Sequence, residues 1–200
     1  MLADFELIKK FFQWGIDRDL YKHSSVSAQL VDFELIKKIF QWGIDRNLYK
    51  YSSVPVQLVK LAEEFLEYLI ADKEANTKKI EDALGDMQVV FLNLAGVELT
   101  KKAGRDLTAD ELVDALRKPD LLTAMDYAEF NGDIIKLVEH LIKKGIRNKM
   151  NSVNMFWNFI YFLDDTKVDH VECLITAYNE IKDRKGYFTP EGNFVKEEDK

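Results

Sequence analysis

The sequence predicts an all-α protein, and three observations lead to this fold class. Only nine glycines and three prolines occur among the 200 residues, so few positions interrupt a helix. Apolar residues recur at spacings of three and four, which is the period of an amphipathic helix. No segment shows the alternation of apolar and polar residues that is typical of a half-buried strand. With 47% apolar and 32% charged residues, the chain is expected to form a packed core.

The predicted helices follow from this periodicity and from residues that begin and end helices. Ser52-Ser53-Val54-Pro55 ends one helix, which lies in residues 32–51, and begins the next. Asn76-Thr77 suits a helix start, Gly104-Arg105-Asp106 is a break, and residues 108–111 have the spacing of a capping box. The further predicted helices cover residues 56–71, 78–102, 108–118, part of 120–130, 133–144 ending at Gly145, 151–163, and 167–185 closed by Gly186.

The first part of the chain contains a tandem repeat. Residues 4–31 (DFELIKKFFQWGIDRDLYKHSSVSAQLV) and residues 32–59 (DFELIKKIFQWGIDRNLYKYSSVPVQLV) differ at only five of 28 positions. Two copies are too few for a solenoid, so the repeat indicates a duplication. We therefore divide the chain into an extra copy (1–31), a helical domain (32–188) and a polar tail (189–200) that is expected to be irregular.

Composition also limits the classes of function. The net charge is −7, from 28 basic and 35 acidic side chains, which argues against non-specific binding to nucleic acid. No apolar run reaches the roughly 18 residues that span a bilayer, and the first residues lack a signal-peptide pattern. The single cysteine, Cys173, excludes an internal disulfide and a multi-cysteine zinc site. We expect a cytoplasmic protein with neither a nucleic-acid nor a membrane partner.

Carboxylates are grouped on two successive helices. At about 100° per residue, Glu64 and Glu67 point away from the apolar stripe of their helix. On the next helix, Asp82, Asp86 and Asn93 share a face opposite the main apolar face. Helices joined by a short connection are normally antiparallel neighbours, which brings these carboxylates together. Two interpretations are open: a pair of solvated acidic faces, or a site for a hard cation such as Mg²⁺ or Mn²⁺.

The last predicted helix carries basic residues close to its end. The helix dipole explains Lys182, Arg184 and Lys185 at that position, but it does not explain Asn179. Basic side chains beside a carboxylate-bound metal suit a polyphosphate, because several oxygens need neutralising.

Four motifs carry a resemblance to a known family. They are Trp42-x-x-x-Arg46, Gln57-x-x-Lys60-Leu61-x-Glu63-Glu64-x-x-Glu67, Asp82-Ala83-Leu84-Gly85-Asp86-x-x-Val89-Val90, and the segment from Cys173 to Gly186 with Phe194-Val195-Lys196. The first three resemble the MazG-like all-α nucleoside triphosphate pyrophosphohydrolases, and the fourth looks like the close of bacteriophage-type members. The resemblance covers roughly 33–103 and 168–197 well, 104–167 weakly, and 4–31 only as a copy.

The resemblance implies a helical bundle that hydrolyses (deoxy)nucleoside triphosphates to monophosphate and pyrophosphate with Mg²⁺, or Mn²⁺, as cofactor. Family members are dimers or tetramers, so a homodimer or homotetramer is expected, in the host cytoplasm if a bacteriophage encodes the chain. By position, the catalytic residues are Glu63, Glu64, Glu67, Asp82 and Asp86, and all of these except Glu63 are metal ligands. The substrate-binding residues are Trp42, which matches an aromatic residue that packs on the base, Arg46, Lys60, Asn93, Asn179, Lys182 and Arg184.

This chain departs from the family pattern at Ala83, where a glutamate is usual and where Asp82 is the expected substitute. An alternative is therefore that catalysis has been impaired, which leaves a nucleotide-binding or helix-bundle interaction protein. A third interpretation is a related enzyme that prefers dUTP, dCTP or an alarmone. The extra copy is either a spare helix that packs or swaps at an interface or a second element that contacts the nucleotide.

Overall fold

A computed structural model describes residues 31–117, 133–147, 150–165, 168–190 and 194–196. Contacts divide the chain into two units, Met1–Asp32 and Phe33–Lys200, and the second contains all the elements described below. Those elements are α1 (Phe33–Asp45), α2 (Leu48–Tyr51), α3 (Val54–Lys73), α4 (Thr77–Ala103), α5 (Ala109–Leu116), α6 (Ile134–Ile146), α7 (Ser152–Asp165), α8 (His170–Ile181), β1 (Gly186–Phe188) and β2 (Phe194–Lys196). The predicted all-α class is confirmed, with one short hairpin added.

The ends of several helices are set by the residues that the sequence indicates. Ser53 is the N-cap of α3, and its side chain accepts a hydrogen bond from an amide of the first turn. Asn76 caps α4 in the same way, and Gly104 ends that helix with a φ of 64°, a conformation that suits glycine. Thr108 and Glu111 form the predicted capping box at the start of α5.

The long helix α4 lies at the centre of this unit and packs against α3, α8, α7, α2 and α1. Every residue in 83–97 except Asp86 is buried. Other helices therefore cover most of α4, and on the face shared by Asp82, Asp86 and Asn93 the two aspartates stay partly exposed. On one side, glycine permits α8 to approach closely, since a Cβ on Gly85 would lie 2.2 Å from the carbonyl oxygen of Cys173.

The core is rich in aromatic side chains contributed by α7. Trp157 is buried, as predicted, and its indole nitrogen donates a hydrogen bond to the carbonyl oxygen of Leu116 at 2.7 Å. Phe159 packs against Phe91 of α4 with ring centroids 4.9 Å apart. Cys173 is also buried, as expected for a packed residue, and burial raises its pKa to about 11.

Two predicted helix ends are wrong. Gly145 lies inside α6, which continues to Ile146, and a Cβ there would lie 3.2 Å from the side chain of Met155. This glycine therefore provides space for packing and does not end the helix. The last helix ends at Ile181 and not at residue 185, because the chain turns there towards β1.

The expectation of an irregular tail is also wrong at residues 194–196. This segment forms β2, which pairs with β1 in antiparallel register so that Tyr187 lies opposite Val195. Three-residue strands are too short to show an alternating pattern in the sequence. The short helix expected within 120–130 and the extra copy at 4–30 lie outside the described residues. No helix in the described part of the chain is long and apolar enough to cross a membrane.

Candidate functional site

A cavity of about 490 Å³ lies between α3 and α4, with further walls from α1, α2, β1 and the end of α8. Of the residues that the sequence assigns to a site, those lining it are Trp42, Lys60, Glu63, Glu64, Asp86, Asn93 and Arg184. The assigned residues outside its lining are Arg46, Glu67, Asp82, Asn179 and Lys182. Of the seven assigned residues in the lining, one belongs to the first motif, three to the second, one to the third and one to the last, and Asn93 lies outside the four motifs.

Three carboxylates line the cavity: Glu63, which forms an ion pair with Lys60, and the pair formed by Glu64 and Asp86. α3 and α4 are joined by only three residues, so they run antiparallel and place these two carboxylates on facing helices. The pKa of Asp86 is raised from 3.8 to about 7, first by burial and then by the negative charges of Glu64, Asp82 and Glu180. Arg184 acts in the opposite direction. A carboxyl group with a pKa near neutrality in a cavity is a common feature of functional sites.

The pKa of Glu64 is also raised above its ordinary value. Its pKa is raised first by burial and then by the charge of Glu67, and it is lowered by Lys60. Glu67 is exposed and lies outside the cavity lining, yet its charge acts on Glu64. Mutual repulsion of this kind is relieved when a cation binds between the carboxylates.

The carboxylates do not form a preformed cage for a metal. Within the described residues, no group of three or more His, Cys, Asp and Glu side chains is placed to hold a metal ion. Two carboxylates on one cavity nevertheless fit Mg²⁺, because this ion is often bound by one or two carboxylates while water and substrate phosphates supply the other ligands. The donors are all oxygen atoms, which suits a hard cation.

Trp42 on α1 and Arg46, the residue that follows α1, contact the end of α8. The Trp42 indole nitrogen donates to the carbonyl oxygen of Ile181 at 2.8 Å, and its ring lies against the Arg46 guanidinium at 4.7 Å. The guanidinium donates from Nε to the carbonyl oxygen of Arg184 at 3.1 Å. The Arg46 side chain is therefore engaged in hydrogen bonds to main-chain carbonyl groups and does not line the cavity. Burial lowers the pKa of Arg46.

The basic residues divide into paired and unpaired side chains. Lys60 forms an ion pair with Glu63, and Lys182 donates to the side-chain oxygen of Asn179 at 2.8 Å. Both pairs are exposed, so they contribute little to stability. Among the described residues, the Arg184 side chain has neither an ion pair nor a hydrogen-bond partner, and it lines the cavity. It is the cation that is available to an anionic ligand there.

The sequence assigned no role to several residues that line the cavity. Gln57 belongs to a quoted motif, and its spacing of seven residues before Glu64 was a usable signal, because it places both on one face of a helix. The other unassigned lining residues are apolar: Leu48, Val56, Val59, Val89, Val90, Ile181 and Phe188. Phe188 belongs to the unexpected hairpin, so its place at the cavity had no signal in the sequence.

Comparison with known proteins provides no assignment: no family model, no curated protein and no solved structure matches this chain. The ligand of this cavity is therefore inferred from the residues that line it.

Proposed function

We propose that this chain is a Mg²⁺-dependent nucleoside triphosphate pyrophosphohydrolase of the MazG-like all-α type, which releases a monophosphate and pyrophosphate. One observation carries the proposal. A single cavity combines the carboxylates of Glu64 and Asp86, which repel each other, with an indole ring, Trp42, and with Arg184, whose side chain is unpaired among the described residues. Such a cavity has groups for a cation, for phosphate oxygens and for a flat heterocycle.

Each of these residues has a role in the proposed reaction. Glu64 and Asp86 would hold the cation. Bound Mg²⁺ would offset negative charge on the phosphate oxygens and lower the pKa of a water molecule. Arg184 would neutralise phosphate oxygens in the same cavity, where its charge already acts on both carboxylates. Trp42 is held by its hydrogen bond to Ile181, so its ring can offer a fixed surface to a base.

The residue at which the chain departs from the family pattern is compatible with this proposal. Ala83 is 3% exposed and does not line the cavity. Asp82, one residue earlier, is partly exposed, and its charge raises the pKa of Asp86. Asp82 is therefore the acidic residue next to Ala83 that acts on the proposed cation site.

We propose a homodimer or homotetramer in the cytoplasm, with α3 at the interface. Its side chains Val59, Leu66 and Ile70 are 60%, 58% and 56% exposed, which is unusual for large apolar residues. They follow a spacing of seven and four, so they share one face of the helix. Val59 also lines the cavity, so a second copy on this face would lie beside the site. Light scattering coupled to gel filtration measures the molar mass of the assembly. A monomer at working concentrations would contradict the proposed homodimer or homotetramer.

The reaction is tested by measuring pyrophosphate release from ribo- and deoxyribonucleoside triphosphates, with Mg²⁺ and with excess EDTA. We expect metal-dependent release that is lost in Glu64→Gln and in Asp86→Asn. The matched controls are Glu139→Gln on α6 and Asp114→Asn on α5, which remove exposed carboxylates far along the chain from the cavity-lining residues. Full turnover in both site variants would refute the assigned site.

A second candidate function is nucleotide binding without hydrolysis. The absence of a three-residue metal cluster among the described residues favours it. Its signature is binding of triphosphates, measured by calorimetry in Mg²⁺, without release of pyrophosphate from any member of the panel.

A further inference from the structure

Each of the two helices that face the cavity carries an amide side chain and, seven residues away, a carboxylate; α3 also contributes Glu63, which forms an ion pair with Lys60. On α3 the amide and the carboxylate seven residues away are Gln57 and Glu64, and on α4 they are Asn93 and Asp86. Seven residues are about two helical turns, or roughly 10.5 Å along the axis, so both members of each pair lie on one face. Because the helices are antiparallel, the amides meet at one end of the cavity and the carboxylates at the other.

The amide of Asn93 is held in one orientation by Tyr49. Asn93 is 5% exposed, and its Oδ1 accepts a hydrogen bond from the hydroxyl of Tyr49 at 3.2 Å. The ring of Tyr49 fits only because Gly43 and Gly96 lack side chains: a Cβ would lie 2.5 Å or 2.6 Å from Tyr49 atoms. Within the described residues, the Asn93 Nδ2 group has no partner, and it is not sealed from solvent. It therefore offers its N–H groups to the cavity that Asn93 lines.

The amide of Gln57 is held by Ser52 in a similar way. Gln57 is 3% exposed, and its Nε2 donates to the Ser52 hydroxyl oxygen at 2.8 Å. Its Oε1 has no hydrogen-bond partner in the described part of the chain and is also not sealed from solvent. The cavity thus receives one fixed donor and one fixed acceptor from side chains that are otherwise buried. A ligand at this end of the cavity can therefore donate to Gln57 and accept from Asn93.

We infer that Asn93 and Gln57 read the hydrogen-bonding edge of a nucleobase and so determine which nucleotide binds, with Tyr49 and Ser52 as their positioning residues. This inference rests on the proposed function. The amides have apolar lining residues beside them, as at Leu48 and Val90, and Lys60, one helical turn from Gln57, is ion-paired with Glu63, which suits a neutral heterocycle. The separation from the carboxylates fits the span of a nucleoside from the edge of its base to its 5′-phosphate. The substrate class is therefore a nucleoside triphosphate whose base presents an acceptor and a donor on its edge.

The test measures binding, so that it does not depend on hydrolysis. The probes are the α,β-methylene analogues of ATP, GTP, CTP and UTP, the corresponding analogue of purine riboside triphosphate, which lacks exocyclic groups, and base-free tripolyphosphate. Calorimetry in Mg²⁺ gives the affinity of each. We expect the wild type to prefer one base over the others, and over the purine riboside analogue, by about tenfold or more.

Four variants test the two amide side chains and their positioning residues: Asn93→Leu, Gln57→Leu, Tyr49→Phe and Ser52→Ala. We expect each to reduce the preference between bases by up to about tenfold, while the affinity for tripolyphosphate changes less than about twofold. Thermal unfolding shows which variants are folded, and the two conservative variants, Tyr49→Phe and Ser52→Ala, serve if the leucine variants do not fold. A merely structural role would weaken all probes together, and it would leave the ranking of bases unchanged.

The outcomes separate this inference from the proposed function. An unchanged ranking in folded variants, or an equal loss for tripolyphosphate, overturns the assignment of the amides even if the natural triphosphates are hydrolysed. Ranked binding that depends on the amides, without pyrophosphate release, supports the assignment and refutes hydrolysis. Equal wild-type affinity for all probes, tripolyphosphate included, overturns the nucleobase assignment.

Discussion

The indole nitrogen of Trp42 donates a hydrogen bond to the main-chain carbonyl oxygen of Ile181 at 2.8 Å, which joins α1 to the last turn of α8. The final carbonyl groups of a helix have no partner within the helix, so a donor from another element stabilises its end. Arg46, directly after the end of α1, donates to the carbonyl oxygens of Arg184 and Lys182. These contacts fix the segment that places Arg184 on the cavity.

Trp42→Phe removes this donor while retaining a ring. We expect the free energy of unfolding to fall by about 1–2 kcal/mol, because a carbonyl oxygen in a partly buried place loses its partner. We also expect weaker triphosphate binding, since the segment with Arg184 is less well held. Urea unfolding measures the first effect and calorimetry the second.

Trp157→Phe is the matched control for this change. Trp157 also donates an indole hydrogen bond to a carbonyl oxygen at a helix end, that of Leu116, but it does not line the cavity. The Trp157→Phe variant should lose a similar amount of stability and retain nucleotide binding. Equal binding by both variants would show that the Trp42 contact is only structural.

The sequence predicted those parts of the fold that depend on local rules. The caps at Ser53, Asn76 and Thr108 follow from hydrogen bonds between neighbouring residues, so they could be located without tertiary structure. Gly145 was misinterpreted because a glycine is needed there to leave space for the side chain of Met155, which belongs to another helix. The hairpin was missed because its pairing joins segments that are each too short to show a pattern.

The candidate site was predictable where helical spacing and one antiparallel pairing suffice. Those two facts place Glu64 opposite Asp86, and Asn93 on the same face as Asp86. The sequence could not show that Arg46 is engaged by carbonyl groups of α8, because that contact depends on how distant elements pack. For the same reason it gave no sign that Tyr49 orients Asn93.

Gly96→Ala should destabilise the protein although alanine favours a helix. The helix propensity gained is about 1 kcal/mol. A Cβ at this position would lie 2.6 Å from the ring of Tyr49, and overpacking of this kind typically costs about 1–3 kcal/mol. We expect a lower urea midpoint and a reduced preference between bases, because Tyr49 is pushed away from Asn93.

A double variant tests whether the clash with Tyr49 causes the destabilisation by Gly96→Ala. In a Tyr49→Leu background the smaller side chain leaves room for the added methyl group, so the loss caused by Gly96→Ala should shrink. Additive losses in the double variant would mean that the contact with Tyr49 is not the cause.

Deletion of residues 1–31 should leave a folded protein with its activity intact. The chain divides into the units Met1–Asp32 and Phe33–Lys200, and within the described residues every residue that lines the cavity belongs to the second unit. Circular dichroism, pyrophosphate release and molar mass by light scattering follow fold, activity and assembly. A changed mass with retained activity would indicate an interface role for the extra copy. Lost activity in a folded variant would indicate that it completes the site.

Stability should depend on pH through Asp86. Its pKa is about 7 in the folded protein and 3.8 in the absence of neighbours, so between these values the folded state binds more protons than the unfolded state. The free energy of unfolding contributed by Asp86 therefore falls as the pH rises from about 4 to about 7, and it then stays low. Asp86→Asn removes this contribution, so the variant should gain stability over the wild type between about pH 5 and about pH 8, measured by urea unfolding.

The difference between wild type and Asp86→Asn isolates this carboxyl group from the other groups that titrate. Burial lowers the pKa of His170, so that group favours stability as the pH rises, with the opposite sign to Asp86 and to the same extent in both proteins. Added Mg²⁺ should stabilise the wild type more at about pH 8 than at about pH 5, because the ion binds the deprotonated carboxylates. It should have little effect on Asp86→Asn. Parallel stability curves for the two proteins would show that Asp86 titrates normally, and an equal Mg²⁺ effect on both would place the cation elsewhere.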